Sequence, residues 1–184
     1  MSVVVEKLPL FTGEDLLEMG DIGPAELIEG EIIRMSPTQN MHGWLVMELA
    51  RRLGNFNAER RLGWVLGAEC GLFTHRNPDT VRGMDVAFIS KQRLSTLPPG
   101  FLEVAPELVV EIVSPSDRWD SIRRKIAEYF AVGVERVWVV EPAARKVLVF
   151  RAVTEFSELS EGDVLRGEGV LRGFELPLAE LFAE

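Results

Sequence analysis

The sequence has few of the side chains that build disulfides and transition-metal sites. Its 184 residues include one cysteine and two histidines. A single cysteine, Cys70, excludes an internal disulfide and a cysteine-based zinc site, and two histidines argue against a histidine-rich metal centre. No apolar run approaches the ~20 residues that cross a bilayer, and no secretory signal pattern opens the chain. We therefore expect a cytoplasmic protein with no membrane contact.

Acidic residues outnumber basic residues in this sequence. The chain has 20 Lys and Arg residues against 29 Asp and Glu residues, which gives a formal net charge of −9. This balance argues mildly against nucleic-acid binding, because the neutralisation of phosphates requires clustered Lys and Arg side chains. A local basic strip or bound divalent cations could still supply the positive field. The GxSxG, P-loop and GxGxxG motifs are absent, so acyl transfer, NTP hydrolysis and Rossmann-type dinucleotide binding lack their usual sequence signatures.

Turn and capping signals predict short elements at the start of the chain. Thr12 followed by Asp15 is a capping-box pattern that predicts a short helix. Gly30 separates two short strand segments, as in a tight hairpin or a bulge. We expect an N-terminal arm and short helix over residues 1–24 and a single domain over residues 25–184.

The rest of the pattern predicts a mixed α/β sheet. A helical period begins at Asn40, and its predicted buried stripe is Met41, Leu45, Leu49 and Leu53, with Trp44 beside it. Apolar segments predict strands at residues 64–73, 84–89, 106–113, 136–140 and 147–151. Short β segments around Leu165, Val170, Leu171 and Phe174 and a last helical turn over residues 178–182 complete the expected elements.

A second long helix is expected between the strands at residues 106–113 and 136–140. Ser116 or Asp117 caps its start, and Gly133 ends it. Its predicted stripe is Trp119, Ile122, Ile126, Tyr129 and Phe130. Because this helix is a crossover connection, the two strands that it joins are predicted to be parallel neighbours.

Two acids, Asp85 and Glu111, lie inside otherwise apolar predicted strands. A buried carboxylate without a partner costs several kcal/mol or takes up a proton. Mg²⁺ prefers carboxylate oxygens and typically binds one or two carboxylates together with waters and substrate phosphate. We therefore predict that Asp85 and Glu111 bind Mg²⁺, with Mn²⁺ as a substitute and the backbone carbonyl of Ile112 as a further ligand. The alternative for either acid is an ordinary ion pair with an arginine or a cap on the following helix.

Lys125 is the third candidate catalytic residue. On the helical wheel it lies at the edge of the buried stripe, with Arg118 two turns earlier. Its stem can lie along the sheet and place the ammonium near the strand ends. There the ammonium could orient or help to deprotonate a water and stabilise the charge that develops on a phosphate. The commoner alternative is a surface lysine.

Three further polar residues lie in or beside apolar segments. Glu31 and Glu69 could complete a metal shell. His42 falls on the buried side of its helix, where a core histidine is commoner than a metal ligand. Cys70 is interpreted as a packing residue.

Five segments together resemble a known family: AELIEGEIIRMSPT, HG at the start of a helix, RGMDVAFIS, PELVVEIVSPSD and RRKIAEYFAVGVERVWVVEP. Their order and spacing resemble the Uma family of putative restriction endonucleases, in the PD-(D/E)XK nuclease superfamily, over roughly residues 25–182. The resemblance implies a restriction-endonuclease-like αβββαβ core with additional flanking strands and an Mg²⁺-dependent phosphodiester cleavage site. It also implies that Asp85 and Glu111 are the first and second motif acids.

The sequence departs from the family pattern at two positions. Met84 stands where a proline usually precedes the motif aspartate. Val113 stands where a lysine is expected two residues after Glu111, and a valine cannot replace it. In families of this type the adjacent helix can supply the lysine, and Lys125 is placed to do so.

The leading hypothesis is an Mg²⁺-dependent DNA endonuclease with DNA as its substrate. Arg118, Arg123, Arg124 and Lys125 would give it a local basic patch on one helix. The alternative is a catalytically inactive nuclease-fold protein that acts as a binding or assembly module, with its C-terminal strands as a homodimer surface. A third and weaker hypothesis is a small-molecule metallohydrolase that uses the same carboxylates.

Overall fold

The computed structural model describes residues 9–183, and most of the expected N-terminal arm lies outside them. Within this range the chain forms four α-helices: α1 (Gly13–Glu18), α2 (Asn40–Arg60), α3 (Trp119–Val132) and α4 (Leu178–Leu181). It also forms ten strands: β1 (Ala25–Ile28), β2 (Glu31–Arg34), β3 (Gly63–His75), β4 (Thr80–Ser90), β5 (Leu108–Ile112), β6 (Arg136–Glu141), β7 (Lys146–Ala152), β8 (Glu155–Ser160), β9 (Val164–Arg166) and β10 (Glu175–Pro177). Short 3₁₀ helices span Pro142–Ala144 and Gly169–Leu171.

A mixed sheet organises these elements, as the sequence predicted. The strand order is β2-β1-β4-β5-β6-β7-β8, and β3 pairs with β4 along its other edge. β5 and β6 are parallel, while the other pairs in the sheet are antiparallel. The predicted crossover helix α3 joins the parallel pair, which confirms the expected β5–α3–β6 unit. β9 and β10 form a separate two-stranded sheet.

The caps and turns contain residue types that suit the backbone angles at those positions. Thr12 caps α1 in a full capping box with Asp15, as predicted. Glu29 and Gly30 both have positive φ, 51° and 81°, which is the conformation of a tight two-residue hairpin turn between β1 and β2. Gly133 ends α3 with φ 101°, in the left-handed region that glycine adopts without strain.

Two apolar clusters lie on opposite faces of the central strands, because successive residues of a strand point to opposite faces. Val86, Val110 and Val140 pack against α2, α4 and the β9–β10 hairpin. Ala87, Val109 and Val139 pack against α3. Each face of the sheet is thus covered by one long helix, which explains why the central strands are apolar along their length.

The helix α2 differs from its prediction in length and in the face that it buries. It continues through Gly54 and ends before Arg61, whose φ is 53°. Beyond Gly54, Phe56 still packs against the core, which offsets the ~1 kcal/mol that a helical glycine costs. Met41 is 45% exposed, so its place on the predicted buried stripe was wrong, and Trp44, which was expected beside the stripe, is 44% exposed.

His42 is buried at the start of the helix, on the side where the sequence predicted it. The buried residues of α2 are His42, Leu45, Leu49 and Leu53. His42 turns inwards because its imidazole contacts a buried carboxylate, that of Asp85. A hydrophobicity pattern does not contain this contact, since it treats a histidine as a polar residue.

Several boundaries and one strand also differ from the predictions. α3 begins at Trp119 with Arg118 as its N-cap, because the Asp117 carboxylate accepts the Ser114 N–H instead of capping the helix. The edge strand β8 was not predicted, and its residues alternate between exposed and half-buried with few apolar positions. Val170 and Leu171 lie in a 3₁₀ helix and not in a β segment.

Within residues 9–183, no helix is both long enough and apolar enough to cross a membrane.

The exposed and buried sides of α2 can be distinguished by two alanine substitutions. Leu45→Ala removes a fully buried side chain, so we expect a loss of about 2–5 kcal/mol in the free energy of unfolding. Met41→Ala removes an exposed side chain, and we expect a change within about 0.5 kcal/mol. Urea denaturation measures both. A similar large loss for the two variants would contradict the orientation of the helix.

Candidate active site

The carboxylates of Asp85 and Glu111 come from paired positions on two neighbouring strands, Asp85 from the middle of β4 and Glu111 from near the end of β5. The register of β4 and β5 pairs Val86 with Val110, so Asp85 and Glu111 are the next residues on the two strands. Both residues are buried. Opposite residues of an antiparallel pair have Cβ atoms about 5 Å apart, so the two carboxylates repel each other when both are ionised.

Asp85 is tied to the strand that carries Glu111 and to the helix α2. Its Oδ2 accepts a hydrogen bond from the Ile112 N–H at 2.7 Å and lies 3.2 Å from His42 Nε2. The hydrogen bond to Asp85 raises the pKa of His42, although burial opposes this. His42 Nδ1 is buried and has no hydrogen-bond partner among the described residues. The imidazole therefore has a single polar contact, which orients Asp85.

Both oxygens of Glu111 accept contacts from side chains of α3. Oε1 accepts a hydrogen bond from Tyr129 Oη at 2.6 Å, and Oε2 lies 3.2 Å from Lys125 Nζ. Burial raises the pKa of Glu111 to about 7, an effect that Lys125 and Tyr129 oppose and the nearby Asp85 charge reinforces. The Lys125 ammonium favours the ionised form of Glu111, and a further cation beside the carboxylate would favour it more.

The ammonium of Lys125 lies between two carboxylates. Its Nζ is 2.9 Å from Glu26 Oε1 and 3.2 Å from Glu111 Oε2. Burial opposes the positive charge, but the Glu111 and Glu26 carboxylates outweigh it and raise the pKa of Lys125. Lys125 is therefore a protonated donor at neutral pH. Of the two predicted roles, the orientation of a water fits this state, and the removal of a proton from a water does not.

Glu26 is a central member of this group that the sequence did not identify. It is buried on β1 and accepts contacts from Arg82 Nη1 at 2.9 Å, from the Gly83 N–H at 3.1 Å and from Lys125. Arg82, also buried, pairs in turn with Glu128 on α3 at 2.6 and 2.8 Å. The only available signal was an acid inside a short apolar strand, which is weak in a strand of four residues.

Tyr129 was also missed as a polar contributor. The sequence placed it on the buried stripe of α3, which is correct, since the side chain is fully buried. A buried phenol usually has a hydrogen-bond partner, so the only tyrosine of the chain on an apolar stripe was a usable signal. Its partner, Glu111, could not be named without the fold.

An irregular segment of β3 brings Glu69 to the same place. Ala68 and Glu69 have positive φ, 57° and 61°, where the register of β3 and β4 shifts between Gly67 and Cys70. Burial and the charge of Asp85 raise the pKa of Glu69. A Cβ atom at Gly83 would lie 3.0 Å from Glu69 Oε2, so this glycine leaves room for the carboxylate. Non-glycine residues with left-handed backbone angles are often found at functional sites.

Glu31 does not join the group. It is exposed on β2, and β1 lies between β2 and β4 in the sheet. Within residues 9–183 it forms no hydrogen bond or ion pair with the other candidates. The prediction that Glu31 could complete a metal shell is not supported by this position, and Glu26, five residues earlier, lies where the carboxylates converge.

The donor set is compatible with a hard divalent cation. Among residues 9–183, no three or more His, Cys, Asp or Glu side chains form a ready-made metal cage. Mg²⁺ does not need such a cage, because it usually keeps several waters and binds one or two carboxylates. Asp85 Oδ1 accepts no hydrogen bond from the described residues, and the Lys125 charge only partly offsets burial, which raises the pKa of Glu111 to about 7. Both features fit a site that gains from a positive ion.

Three further basic residues lie in the first part of α3 and at its N-cap. Arg118, Arg123 and Arg124 are exposed, and none forms an ion pair with a carboxylate within the described part of the chain. Unlike Lys125, these guanidinium groups can therefore interact with an external anion. They give an acidic protein exposed positive charge on α3, the helix that also carries Lys125.

Comparisons with known proteins agree with this geometry at the level of family and fold. A model of the Uma2 family, described as a putative restriction endonuclease, matches residues 14–179. The fold resembles the crystal structure of a putative nuclease belonging to DUF820 from Anabaena variabilis, with a TM-score of 0.80 and 20% sequence identity over 94% of this chain and 98% of that chain. No curated protein matches the chain.

The buried Arg82 should be much more important for stability than a surface arginine. Arg82→Ala leaves the Glu26 carboxylate buried with one cationic partner fewer, so we expect a loss of about 3–5 kcal/mol in the free energy of unfolding. Arg51→Ala breaks only an exposed i,i+3 pair with Glu48 and should leave the denaturation midpoint nearly unchanged. Equal stability of the two variants would show that the buried network is not formed.

Proposed function

The chain belongs to the Uma2 family of putative restriction endonucleases, and we propose that it is an Mg²⁺-dependent DNA endonuclease. One observation carries the proposal. Two buried carboxylates, Asp85 and Glu111, and the ammonium of Lys125 converge from three different elements of a nuclease fold. This is the set of groups that phosphodiester hydrolysis requires: oxygen ligands for a cation and a donor for the developing charge.

In this proposal Asp85 and Glu111 hold the cation, and the Ile112 carbonyl is a third ligand. Mn²⁺ could take the place of Mg²⁺, because both accept oxygen ligands. When bound, such a cation polarises the scissile phosphate and lowers the pKa of a coordinated water. The Ile112 N–H and His42 fix the Asp85 carboxylate, so the ligand is oriented before substrate arrives.

Lys125 takes the part of the lysine that Val113 replaces. Its ammonium is held at Glu111 by the contact with Glu26, so its position does not depend on substrate. A protonated lysine at this place donates a hydrogen bond to the attacking water or to a phosphate oxygen. Val113 packs against the α3-side core and has no donor to offer.

DNA would approach over α3. The exposed Arg118, Arg123 and Arg124 supply positive charge on the helix that carries Lys125, which answers part of the objection that a net charge of −9 raises. Bound cations would supply the rest of the positive field at the site itself.

A second candidate function is a nuclease-fold module that binds or assembles but does not cleave. The observation in its favour is that both Glu111 oxygens are already occupied by donors of the chain itself. The homodimer that we associated with this alternative would need a surface other than the C-terminal strands, because Leu165 and Leu176 are fully buried in the core of the same chain.

Incubation of plasmid DNA with the protein and Mg²⁺ or Mn²⁺ distinguishes the two functions. We expect metal-dependent nicking or linearisation that chelation with EDTA stops and that Asp85→Ala reduces to background, because the variant loses a cation ligand. Glu31→Ala is the matched control: it removes an exposed carboxylate outside the group and should cleave like the wild type. Equal cleavage by Asp85→Ala would contradict the proposed site, and an inert wild type would favour the non-cleaving module.

A further inference from the structure

A groove runs from the candidate active site along the first turns of α2. It consists of two adjoining cavities of about 390 Å³ and about 240 Å³, which share Met41 as a wall residue. The inner cavity is also lined by His42 and Val113, and the outer one by Trp44 and Phe182. We call this feature the α2 groove.

The inner cavity adjoins the candidate active site because the two share residues. His42 lines the cavity, and its Nε2 lies 3.2 Å from Asp85 Oδ2. Val113 lines the cavity two residues after Glu111 in the chain, and Ser114 continues the wall. A nucleic-acid strand with a phosphate at Asp85 and Glu111 would therefore bring its neighbouring bases to the opening of the groove.

The chemistry of the walls suits bases better than phosphates. No lysine or arginine of residues 9–183 lines either cavity. The sugar–phosphate backbone requires such cations, so the groove does not fit the outside of a duplex. Apolar walls with an aromatic ring suit unstacked bases, since stacking of a base on an aromatic side chain is worth ~1–3 kcal/mol.

Trp44 is available for such a contact. It is 44% exposed, whereas Leu45, the next residue of the same helix, is fully buried. The indole ring is therefore only partly covered and keeps surface available for a ligand. Met41, at the junction of the two cavities, is exposed to a similar extent and belongs to the same face of the helix, three residues earlier.

We propose that the α2 groove binds the unstacked bases of a single-stranded segment, with Trp44 as the stacking platform. The inference rests on the proposed nuclease function and narrows its substrate to single-stranded DNA, or to duplexes with an unpaired segment beside the cut. The apolar walls take the bases, and the arginines of α3 on the other side of the carboxylates take the backbone.

Fluorescence anisotropy with a labelled oligodeoxythymidine and a labelled hairpin duplex, both in EDTA, measures this binding without cleavage. We expect the wild type to bind the single strand more tightly than the duplex. Trp44→Ala and Trp44→Leu should weaken single-strand binding roughly 5- to 150-fold, the equivalent of one lost stacking contact. Trp44→Phe keeps a flat ring and should retain most of the affinity. Phe156→Ala removes another exposed aromatic ring, on β8, and should bind like the wild type.

The outcomes separate this inference from the proposed function. If plasmid cleavage depends on Asp85 but Trp44→Ala binds single-stranded DNA as tightly as the wild type, the proposal that the α2 groove binds bases is wrong. The proposed nuclease function would then still stand. If neither plasmid nor single-stranded DNA is cleaved with Mg²⁺ or Mn²⁺ while the Trp44 variants change single-strand affinity as expected, the nuclease function is wrong and the base-binding groove is supported. If Trp44→Ala converts a dimer to a monomer in light scattering and leaves oligonucleotide affinity unchanged, the groove is a contact between copies of this chain and the proposal is wrong.

Discussion

The pairing of buried Glu111 with Lys125 and Tyr129 is the contact on which the arrangement of the site depends. The two partners are four residues apart on α3, so they project from one face of the helix and reach the two oxygens of one carboxylate. A carboxylate at this depth without these donors would cost several kcal/mol. The buried acid in β5 is therefore stable only when α3 packs on the sheet at this position, and its hydrogen bonds in turn hold α3 there.

The same contact links the site to elements far apart in the chain. Lys125 also meets Glu26 on β1, and Glu26 meets Arg82 on β4, so four elements share one chain of ion pairs. On the opposite side, Asp85 contacts α2 through His42. The site thus lies between the two helical layers and contacts both, α2 through His42 and α3 through Lys125. Any loss of packing in either layer would displace one of the groups that we assign to cleavage.

The sequence predicted the parts of this arrangement that are encoded locally. The β5–α3–β6 unit follows from two long apolar runs, one helical stripe and the glycine at position 133. Asp85 and Glu111 were identifiable because each interrupts an apolar strand. Glu26 was not, because its burial results from Arg82, 56 residues later in the chain, and no local pattern contains that pairing. The edge strand β8 was missed since one of its faces is exposed and its residues are mostly polar.

The misplacement of Met41 has a different origin. A helical wheel gives the relative positions of residues but not the rotation of the helix about its axis, which the contact between His42 and Asp85 sets. The resulting exposure of Trp44 is therefore a consequence of the site. Met41, which the sequence assigned to the buried stripe, and Trp44, which it placed beside that stripe, both line the α2 groove.

The central claim is that α3 supplies, through Lys125, the ammonium that Val113 cannot. The most direct measurement compares the metal-dependent DNA cleavage rates of two variants, Lys125→Met and the double variant Lys125→Met with Val113→Lys. Circular dichroism checks that each variant is folded. We expect the single variant to lose about 10²-fold in rate, as on removal of one stabilising donor, and the double variant to recover part of it. Lys125→Met that is folded and cleaves at the wild-type rate would contradict the account.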